Sequence, residues 1–215
     1  MIFIAGTGTD VGKTFLSSLI LSKYGKELNL AYWKPVQTGT EKDSDEVRKI
    51  SSVSIIPSVY EFTFPASPHY SAELESREID FEFLLDEMKQ KKSEKIISEG
   101  AGGILVPLNR RFLFADLLER LRIPVLICAS SVLGTVNHTL LTLQNLDRRN
   151  IPVLGFFFCG ADTEITEDSA FTIEKFSGVK YLGRTDFPNR SLAEKEFRQY
   201  ADENFDHDFI IKDVL

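Results

Sequence analysis

The stretch IFIAGTGTDVGKT, residues 2–14, decides the fold of this chain. An unbroken apolar run predicts a short buried strand over Ile2–Ala5. A loop rich in Gly and Thr follows, and apolar spacing then predicts a helix near Lys13–Tyr24 that ends at Gly25. Strand, glycine-rich loop and helix in this order predict a phosphate-binding site, because backbone N–H groups of the loop and first helical turn can hold phosphate oxygens.

Single positions in this phosphate loop (residues 6–14) have distinct expected roles. Gly12 lets the backbone approach a phosphate, Lys13 can reach the β- and γ-phosphates, and the Thr14 hydroxyl can bind Mg²⁺. Thr7 stands where the common GxxxxGK[ST] pattern has its first glycine. Gly8 stands where ATPases that partition chromosomes carry a second lysine, which argues against a dimerising switch ATPase.

The rest of the chain alternates short apolar segments with longer amphipathic ones, which predicts an α/β fold with a mostly parallel sheet and helices on both faces. The further predicted strands are Leu30–Lys34, Lys95–Ser98, Val125–Ala129, Val153–Cys159 and Tyr181–Gly183. The further predicted helices are Asp43–Ser51, Asp80–Lys91, Phe112–Leu121, Thr135–Arg148 and Glu167–Phe176. Residues 54–76 are rich in proline and predict irregular structure that could include an edge strand. We expect one domain over residues 1–215, with a charged tail from Ser191 that begins as a helix.

Composition narrows the class of protein. The chain has 215 residues, of which 43% are hydrophobic and 27% charged, with a formal net charge of −7. This acidity argues against a nucleic-acid partner, since phosphate backbones require clustered Lys and Arg. The start lacks a signal peptide, and no apolar run approaches the roughly 20 residues of a bilayer helix. We expect a soluble, cytoplasmic protein without a membrane partner, in which Cys128 and Cys159 are buried free thiols.

A second lysine lies at the carboxyl end of the second predicted strand, in KPVQTG at residues 34–39. Ligands bind at the carboxyl edge of open α/β sheets, where Lys34 and the Thr38 hydroxyl would lie. Lys34 is therefore a candidate for stabilising charge during phosphoryl transfer. A strand-end lysine in an ordinary turn fits the same residues equally well.

Acidic candidates for Mg²⁺ occur at two places. Glu99 directly follows a predicted strand and opens EGAGG, whose glycines suggest backbone packed close to a ligand. Asp45 is a further candidate, with Asp43 and Glu46 as its competitors. An unremarkable glutamate before a turn is the alternative for Glu99. A solvated acidic loop is the alternative for Asp43, Asp45 and Glu46.

The predicted helix Thr135–Arg148 begins just after Gly134, with Asn137 in its first turn. Free N–H groups at such a helix start could hold a carboxylate. A simple glycine turn with polar capping explains the pattern equally well.

Taken together, these segments resemble the dethiobiotin synthetase family, within the P-loop NTPase superfamily. The matching pieces are GTGTDVGKT (6–14), YWKPVQTG (32–39), DSD (43–45), PASPH (65–69), EGAGG (99–103), VPL (106–108), FAD (114–116) and LGTVNHTLLT (133–142). They follow the order of the family and span roughly residues 2–160.

The resemblance implies a homodimeric, Mg²⁺- and ATP-dependent ligase. It would join CO₂ or bicarbonate to 7,8-diaminononanoate and close the ureido ring of dethiobiotin, through a carbamate and a carbamic–phosphoric anhydride. Lys13 and Lys34 would be catalytic, and Mg²⁺ would be held by Thr14, Asp45 and Glu99. The implied nucleotide-binding residues are Asp10, Val11, Gly12, Lys13, Thr14, Phe15, Asp45, Glu99, Gly100, Ala101 and Gly102. The implied substrate-binding residues are Thr38 and, across the dimer interface, Gly134, Thr135 and Asn137.

One departure from the family concerns the nucleotide base. Cys159 and Gly160 stand where family members often carry Asn-Asp, and Asp186, Phe187 and Pro188 match the later base contact only loosely. The departure predicts a relaxed or altered base preference.

Two other functions fit the phosphate loop. One is an amide ligase of the cobyrinic-acid-synthase type, whose amidotransferase partner would need a Cys/His nucleophile; this chain offers no convincing one. The other is a nucleotide-controlled interaction protein, whose ATP turnover would respond to a partner and ignore diaminononanoate.

Overall fold

Strands and helices alternate along almost the whole chain in the computed structural model, which describes residues 1–215. In chain order the elements are β1 (Ile2–Gly6), α1 (Lys13–Leu28), β2 (Ala31–Trp33), β3 (Val36–Thr38), α2 (Asp43–Ile50), β4 (Ser54–Ile56), β5 (Tyr60–Phe62), α3 (Pro68–Leu74), α4 (Phe81–Lys91), β6 (Ile96–Gly103), α5 (Phe114–Leu121), β7 (Val125–Ser130), α6 (Thr135–Arg148), β8 (Val153–Cys159), α7 (Thr166–Ser177), β9 (Tyr181–Thr185), α8 (Glu194–Asn204) and a 3₁₀ helix (Lys212–Val214).

The main sheet has seven strands in the order β4-β2-β6-β1-β7-β8-β9, and every neighbouring pair is parallel. The predicted α/β fold class is therefore confirmed. Parallel strands place all their carboxyl ends at one edge of the sheet. β1 is central and pairs with β6 on one side and β7 on the other, with Ile4 opposite Glu99 and Leu126. The phosphate loop after β1 and the glycine-rich end of β6 thus lie side by side.

Apolar side chains cover both faces of this sheet. Alternation along β1 sends Phe3 into one apolar cluster, with α4 and α5, and Ile4 into the other, with α1 and α8. Helices on both faces were predicted and are present. The tail belongs to this packing, since Phe197 and Phe205 are buried in the second cluster.

Helix α1 is longer than the sequence predicted. It continues through Gly25 to Leu28 and ends where Asn29 adopts a left-handed φ of 55°. Gly25 has a packing role instead, because a Cβ atom there would lie 2.5 Å from Val53 Cγ1. Asparagine tolerates the left-handed conformation better than most residues, which explains where the helix ends.

Residues 54–76 are more regular than predicted. β4 is one of the two edge strands of the main sheet, β5 pairs in parallel with β3 as a separate two-stranded sheet, and α3 follows. No helix in the structure is both long and apolar enough to span a bilayer.

Candidate active site

A cavity of about 840 Å³ opens at the carboxyl edge of the main sheet. Its walls come from the phosphate loop, the KPVQTG segment, the start of α2, the Pro65–Pro68 segment, the end of β6 and the segment after β9. The fold thus brings together residues that are far apart in sequence.

The phosphate loop has a conformation that depends on glycine. Gly12 has a left-handed φ of 95°, and a Cβ atom there would lie 2.5 Å from Cys159 Cβ. No side chain caps the start of α1, so its first N–H groups are free to bind an anion. Lys13 folds back over the loop, and its Nζ donates to the Gly8 carbonyl at 3.0 Å. Burial lowers the pKa of Lys13 below its ordinary value.

Lys34 is paired with two carboxylates beside this loop. Its Nζ lies 2.5 Å from Asp43 Oδ2 and 3.2 Å from Glu99 Oε1. Only 7% of the Lys34 side chain and none of the Glu99 side chain is exposed. Burial alone would lower the pKa of Lys34, but Glu99 and Asp43 hold that pKa above its ordinary value. Lys34 therefore remains charged.

The Thr14 hydroxyl completes this group, which we call the Lys34 cluster (Thr14, Lys34, Asp43 and Glu99). Thr14 Oγ1 lies 2.6 Å from Asp43 Oδ1 and 2.9 Å from Glu99 Oε1. Three elements, α1, α2 and β6, thus bring oxygen donors to one point. Hydroxyl and carboxylate oxygens are the ligands that Mg²⁺ prefers, so this donor set fits the metal that the sequence predicts.

Asp45, the residue predicted from the sequence, does not belong to the Lys34 cluster. Its Oδ1 pairs with Arg48 Nη1 at 2.5 Å, and half of its side chain is exposed (50%). Successive helical residues turn by about 100°, so Asp45 points some 200° away from Asp43 around α2. Asp43, one of its two competitors, occupies the place expected for Asp45.

Glu99 is fixed by two hydroxyl groups that the sequence analysis did not single out. Ser17 Oγ and Tyr32 Oη donate to Glu99 Oε2 at 2.9 and 3.0 Å. Burial and the nearby Glu99 charge raise the pKa of Tyr32 well above its ordinary value, so the phenol stays a donor. A sequence signal existed for Ser17, which lies one helical turn after Thr14 on the buried side of α1.

Of the other residues predicted to bind the nucleotide, some line the cavity and some do not. Asp10 and Phe15 line the cavity, as do Ala101 and Gly102. Val11 is buried, and its carbonyl accepts a hydrogen bond from Cys128 Sγ at 3.2 Å. Gly100 faces away from the cavity, since a Cβ atom there would lie 2.9 Å from Phe3 Cζ.

The predicted substrate residues fall into two places. Thr38 lines the cavity. Gly134, Thr135 and Asn137 lie at the start of α6, outside the residues that line it. Just before them, Leu133 is 89% exposed. The start of α6 is therefore not part of the cavity wall within one chain.

The segment after β9 forms a further wall of the cavity, beside the phosphate loop. Phe187 and Pro188 line it, and the Phe187 ring packs on Phe15 with centroids 4.9 Å apart. Cys159 is buried behind the phosphate loop, with its Sγ 3.6 Å from the Gly12 carbonyl oxygen. Cys128 Sγ lies 3.5 Å from Cys159 Sγ, and both are free thiols, as predicted.

Curated proteins are similar to this chain over most or all of its length. A protein of Leptospira interrogans named ATP-dependent dethiobiotin synthetase BioD is 43% identical, covering 100% of this chain and 99% of its own. Proteins of the same name from Sphingopyxis alaskensis and Brucella anthropi are each 42% identical, covering 84% and 94% of this chain and 85% and 93% of their own. The chain belongs to the dethiobiotin synthetase family. It is thus an ATP-dependent ligase of biotin biosynthesis, and the family resemblance drawn from the sequence is confirmed.

More distant likenesses agree with this assignment. Residues 1–195 match the family model described as an AAA domain, a P-loop family. A ParA family ATPase from Chlorobium tepidum has a TM-score of 0.55 at 14% identity, over 93% of this chain and 96% of its own. The pNOB8 ParA structure, solved on nonspecific DNA, has a TM-score of 0.60 at 9% identity, over 99% of this chain and 97% of its own. At such low identity these two structures show a shared fold alone.

Proposed function

We propose that this chain catalyses the Mg²⁺- and ATP-dependent closure of the ureido ring of dethiobiotin, from 7,8-diaminononanoate and CO₂. The observation that carries the proposal is the Lys34 cluster, in which a buried ammonium lies against the phosphate-loop hydroxyl and two carboxylates inside one cavity. The substrate in this proposal is inferred from membership of the dethiobiotin synthetase family.

The phosphate loop would bind the ATP phosphates. Free N–H groups at the start of α1 would hold phosphate oxygens, and Lys13 would exchange the Gly8 carbonyl for the β- and γ-phosphates. Burial of Lys13 strengthens this attraction, because charges interact more strongly away from water.

Thr14, Asp43 and Glu99 would hold Mg²⁺, which supplies charge neutralisation for the phosphate oxygens when bound. We assign Asp43 to this role in place of Asp45, because only Asp43 reaches Thr14 and Lys34. Ser17 and Tyr32 would keep Glu99 oriented toward the site.

Lys34 would act on the reacting atoms. One substrate amine forms a carbamate with CO₂, and a carbamate oxygen attacks the γ-phosphorus of ATP and releases ADP. The second amine then attacks the carbamoyl carbon, and its C–N bond forms as the C–O bond to phosphate breaks. Negative oxygens develop in both steps, and a buried, charged lysine stabilises them without rearrangement. Thr38, which lines the same cavity, would hold the diamine end in place.

Substrate binding would also require a second subunit. Gly134, Thr135 and Asn137 lie outside the cavity of their own chain, next to the exposed Leu133. We propose a homodimer in which the start of α6 of one subunit binds the distal carboxylate of a substrate whose amines lie in the other. The Thr135 N–H donates to the Val132 carbonyl, so the N–H groups that remain for that carboxylate are those that follow it in the first turn of α6.

The deciding experiment is detection of dethiobiotin by mass spectrometry after incubation with diaminononanoate, bicarbonate and MgATP. Product should require all three reactants, and ¹³C-bicarbonate should add one mass unit to it. ATP hydrolysis without dethiobiotin, under conditions where the protein binds ATP, would overturn the proposal.

A further inference from the structure

Gln37 carries an unused hydrogen-bonding group at the active site. The residue lies in β3, is only 2% exposed and lines the cavity. Its Nε2 donates to the Thr38 carbonyl at 2.9 Å, whereas its Oε1 has no hydrogen-bond partner. An acceptor left unpaired in a buried place costs free energy, so its presence in a cavity wall points to a ligand donor.

The carboxylates and the phosphate-loop lysine of the cavity wall are already paired. Each carboxylate oxygen of Asp43 and Glu99 has a donor within the protein, from Thr14, Ser17, Tyr32 or Lys34. Lys13 donates to the Gly8 carbonyl. Among the buried polar residues that line the cavity, only Gln37 has an acceptor to spare.

The position of this acceptor selects its ligand. Gln37 lies between Lys34 and Thr38 in the chain, and its amide lies beside Asp43. Lysines and backbone N–H groups in the cavity suit phosphate and carbamate oxygens, but they cannot accept a hydrogen bond from an amine. A carboxylate at that place would favour a protonated, non-nucleophilic ammonium, whereas a neutral amide oxygen accepts an N–H bond from a neutral amine as well.

We propose that Gln37 is a positioning residue whose Oε1 accepts a hydrogen bond from one amine of the vicinal diamine. Oε1 is shielded in this structure, and the terminal torsion of glutamine is soft. Rotation about that torsion releases the Nε2 bond to the Thr38 carbonyl and turns Oε1 toward the cavity without backbone movement. The contact orients one nitrogen beside the carbamate that Lys34 stabilises. This inference rests on the proposed function and adds a determinant of substrate specificity to it.

The test compares wild type with Gln37→Met, which keeps the length of the side chain and removes the acceptor. We expect the KM for diaminononanoate to rise about tenfold, as loss of one hydrogen bond predicts, while the KM for ATP changes less than about twofold. Competitive inhibition by 7-aminononanoate and 8-aminononanoate locates the contact. In Gln37→Met, the inhibition constant should rise for the analogue that retains the contacted amine. The inhibition constant of the other analogue should stay the same.

The outcomes separate the two proposals. If wild type makes no dethiobiotin, the proposed function fails. If wild type is active and Gln37→Met keeps its KM for the diamine, or weakens both analogues equally, only the role of Gln37 is overturned. Gln37→Asn, with a retained but shorter amide, should also raise the KM for the diamine. Loss of ATP binding in both variants would make Gln37 a structural residue and would equally overturn the inference.

Discussion

Thr14 Oγ1, in the first turn of α1, lies 2.6 Å from Asp43 Oδ1, in the first turn of α2. This contact joins the phosphate loop to a helix that begins well after it in the chain. Asp45, two residues after Asp43 in the same helix, makes no such contact and pairs with Arg48 at the surface. The pair Asp43 and Asp45 therefore forms a matched test of which acidic residue serves the metal.

Replacing Asp43 by Asn should weaken the apparent affinity for Mg²⁺ by at least about tenfold, because an amide is a poorer ligand than a carboxylate. Asp45→Asn, in the same turn of α2, should change that affinity less than about twofold. The measurement is phosphate release as a function of Mg²⁺ concentration at saturating ATP and diaminononanoate. The assignment of Asp43 fails if Asp45→Asn proves the more harmful change.

Thr14→Val should weaken Mg²⁺-dependent ATP binding by about tenfold and leave the fold intact, because the methyl group fills the place of the hydroxyl. Thr14→Ser, which keeps the hydroxyl, should bind ATP nearly as well as wild type. Calorimetric titration of each variant with ATP, with and without Mg²⁺, gives the comparison. Unchanged metal dependence in Thr14→Val would contradict a metal role for Thr14.

Local patterns predicted most of the fold. The bounds of α6 and β8 agree with the sequence prediction, since helical spacing and a continuous apolar run are both local signals. The pairing of β3 with β5 escaped prediction, because it depends on residues that are distant in the chain. The end of α1 was misplaced because Gly25 contacts Val53, a tertiary packing requirement that helical spacing does not report.

For the candidate site, sequence patterns identified residues better than they identified contacts. Thr14, Lys34 and Glu99 were selected from their places at strand ends or in the phosphate loop, and the fold brings them together. The choice between Asp43 and Asp45 depends on the rotation of α2 about its axis, which no local pattern fixes. No local pattern of the sequence indicates the unpaired amide oxygen of Gln37 either.

Lys34→Ala should lower kcat by about two to three orders of magnitude and change ATP affinity less than about threefold, because Lys34 is assigned to charge that develops during reaction. Lys42→Ala is the control, since Lys42 lies in the following loop and pairs with Glu61 at the surface. Single-turnover rates and ATP titrations separate the two effects. Equal losses in rate and ATP affinity would indicate a lysine that only binds.

The pairing with Lys34 also sets how stability depends on pH in the metal-free protein. Burial alone would raise the pKa of Asp43, but Lys34 and hydrogen bonds from Lys34 and Thr14 hold it below its ordinary value of 3.8. Asp43 therefore contributes stability above that value, and the contribution is lost as pH falls through the lower, folded-state pKa.

Lys34→Met should reverse the direction in which Asp43 changes stability with pH. Without the lysine, burial would raise the folded-state pKa of Asp43 above its ordinary value, so the variant should lose stability as pH rises from about 4 through that pKa. Thermal unfolding at pH 4.5 and pH 7 in the presence of a chelator gives the comparison. The difference between Tm at pH 7 and Tm at pH 4.5 should be less positive for the variant than for wild type. Parallel Tm curves would rule out this coupling.

The cavity wall formed by the segment after β9 predicts weak discrimination among nucleotide bases. Cys159 is buried behind Gly12, and Gly160 has no side chain, so neither offers a side-chain amide that reads a base edge. Phe187 and Pro188 present apolar surface there, and the guanidinium of Arg190 is paired with Glu196 at 2.7 Å. Apolar contacts discriminate far less than hydrogen bonds do, so kcat/KM with GTP and CTP should lie within about tenfold of the value with ATP. Phe187→Ala should weaken the binding of all three nucleotides to a similar extent. A strict preference for ATP would contradict this prediction, because it would show that hydrogen bonds read a base edge.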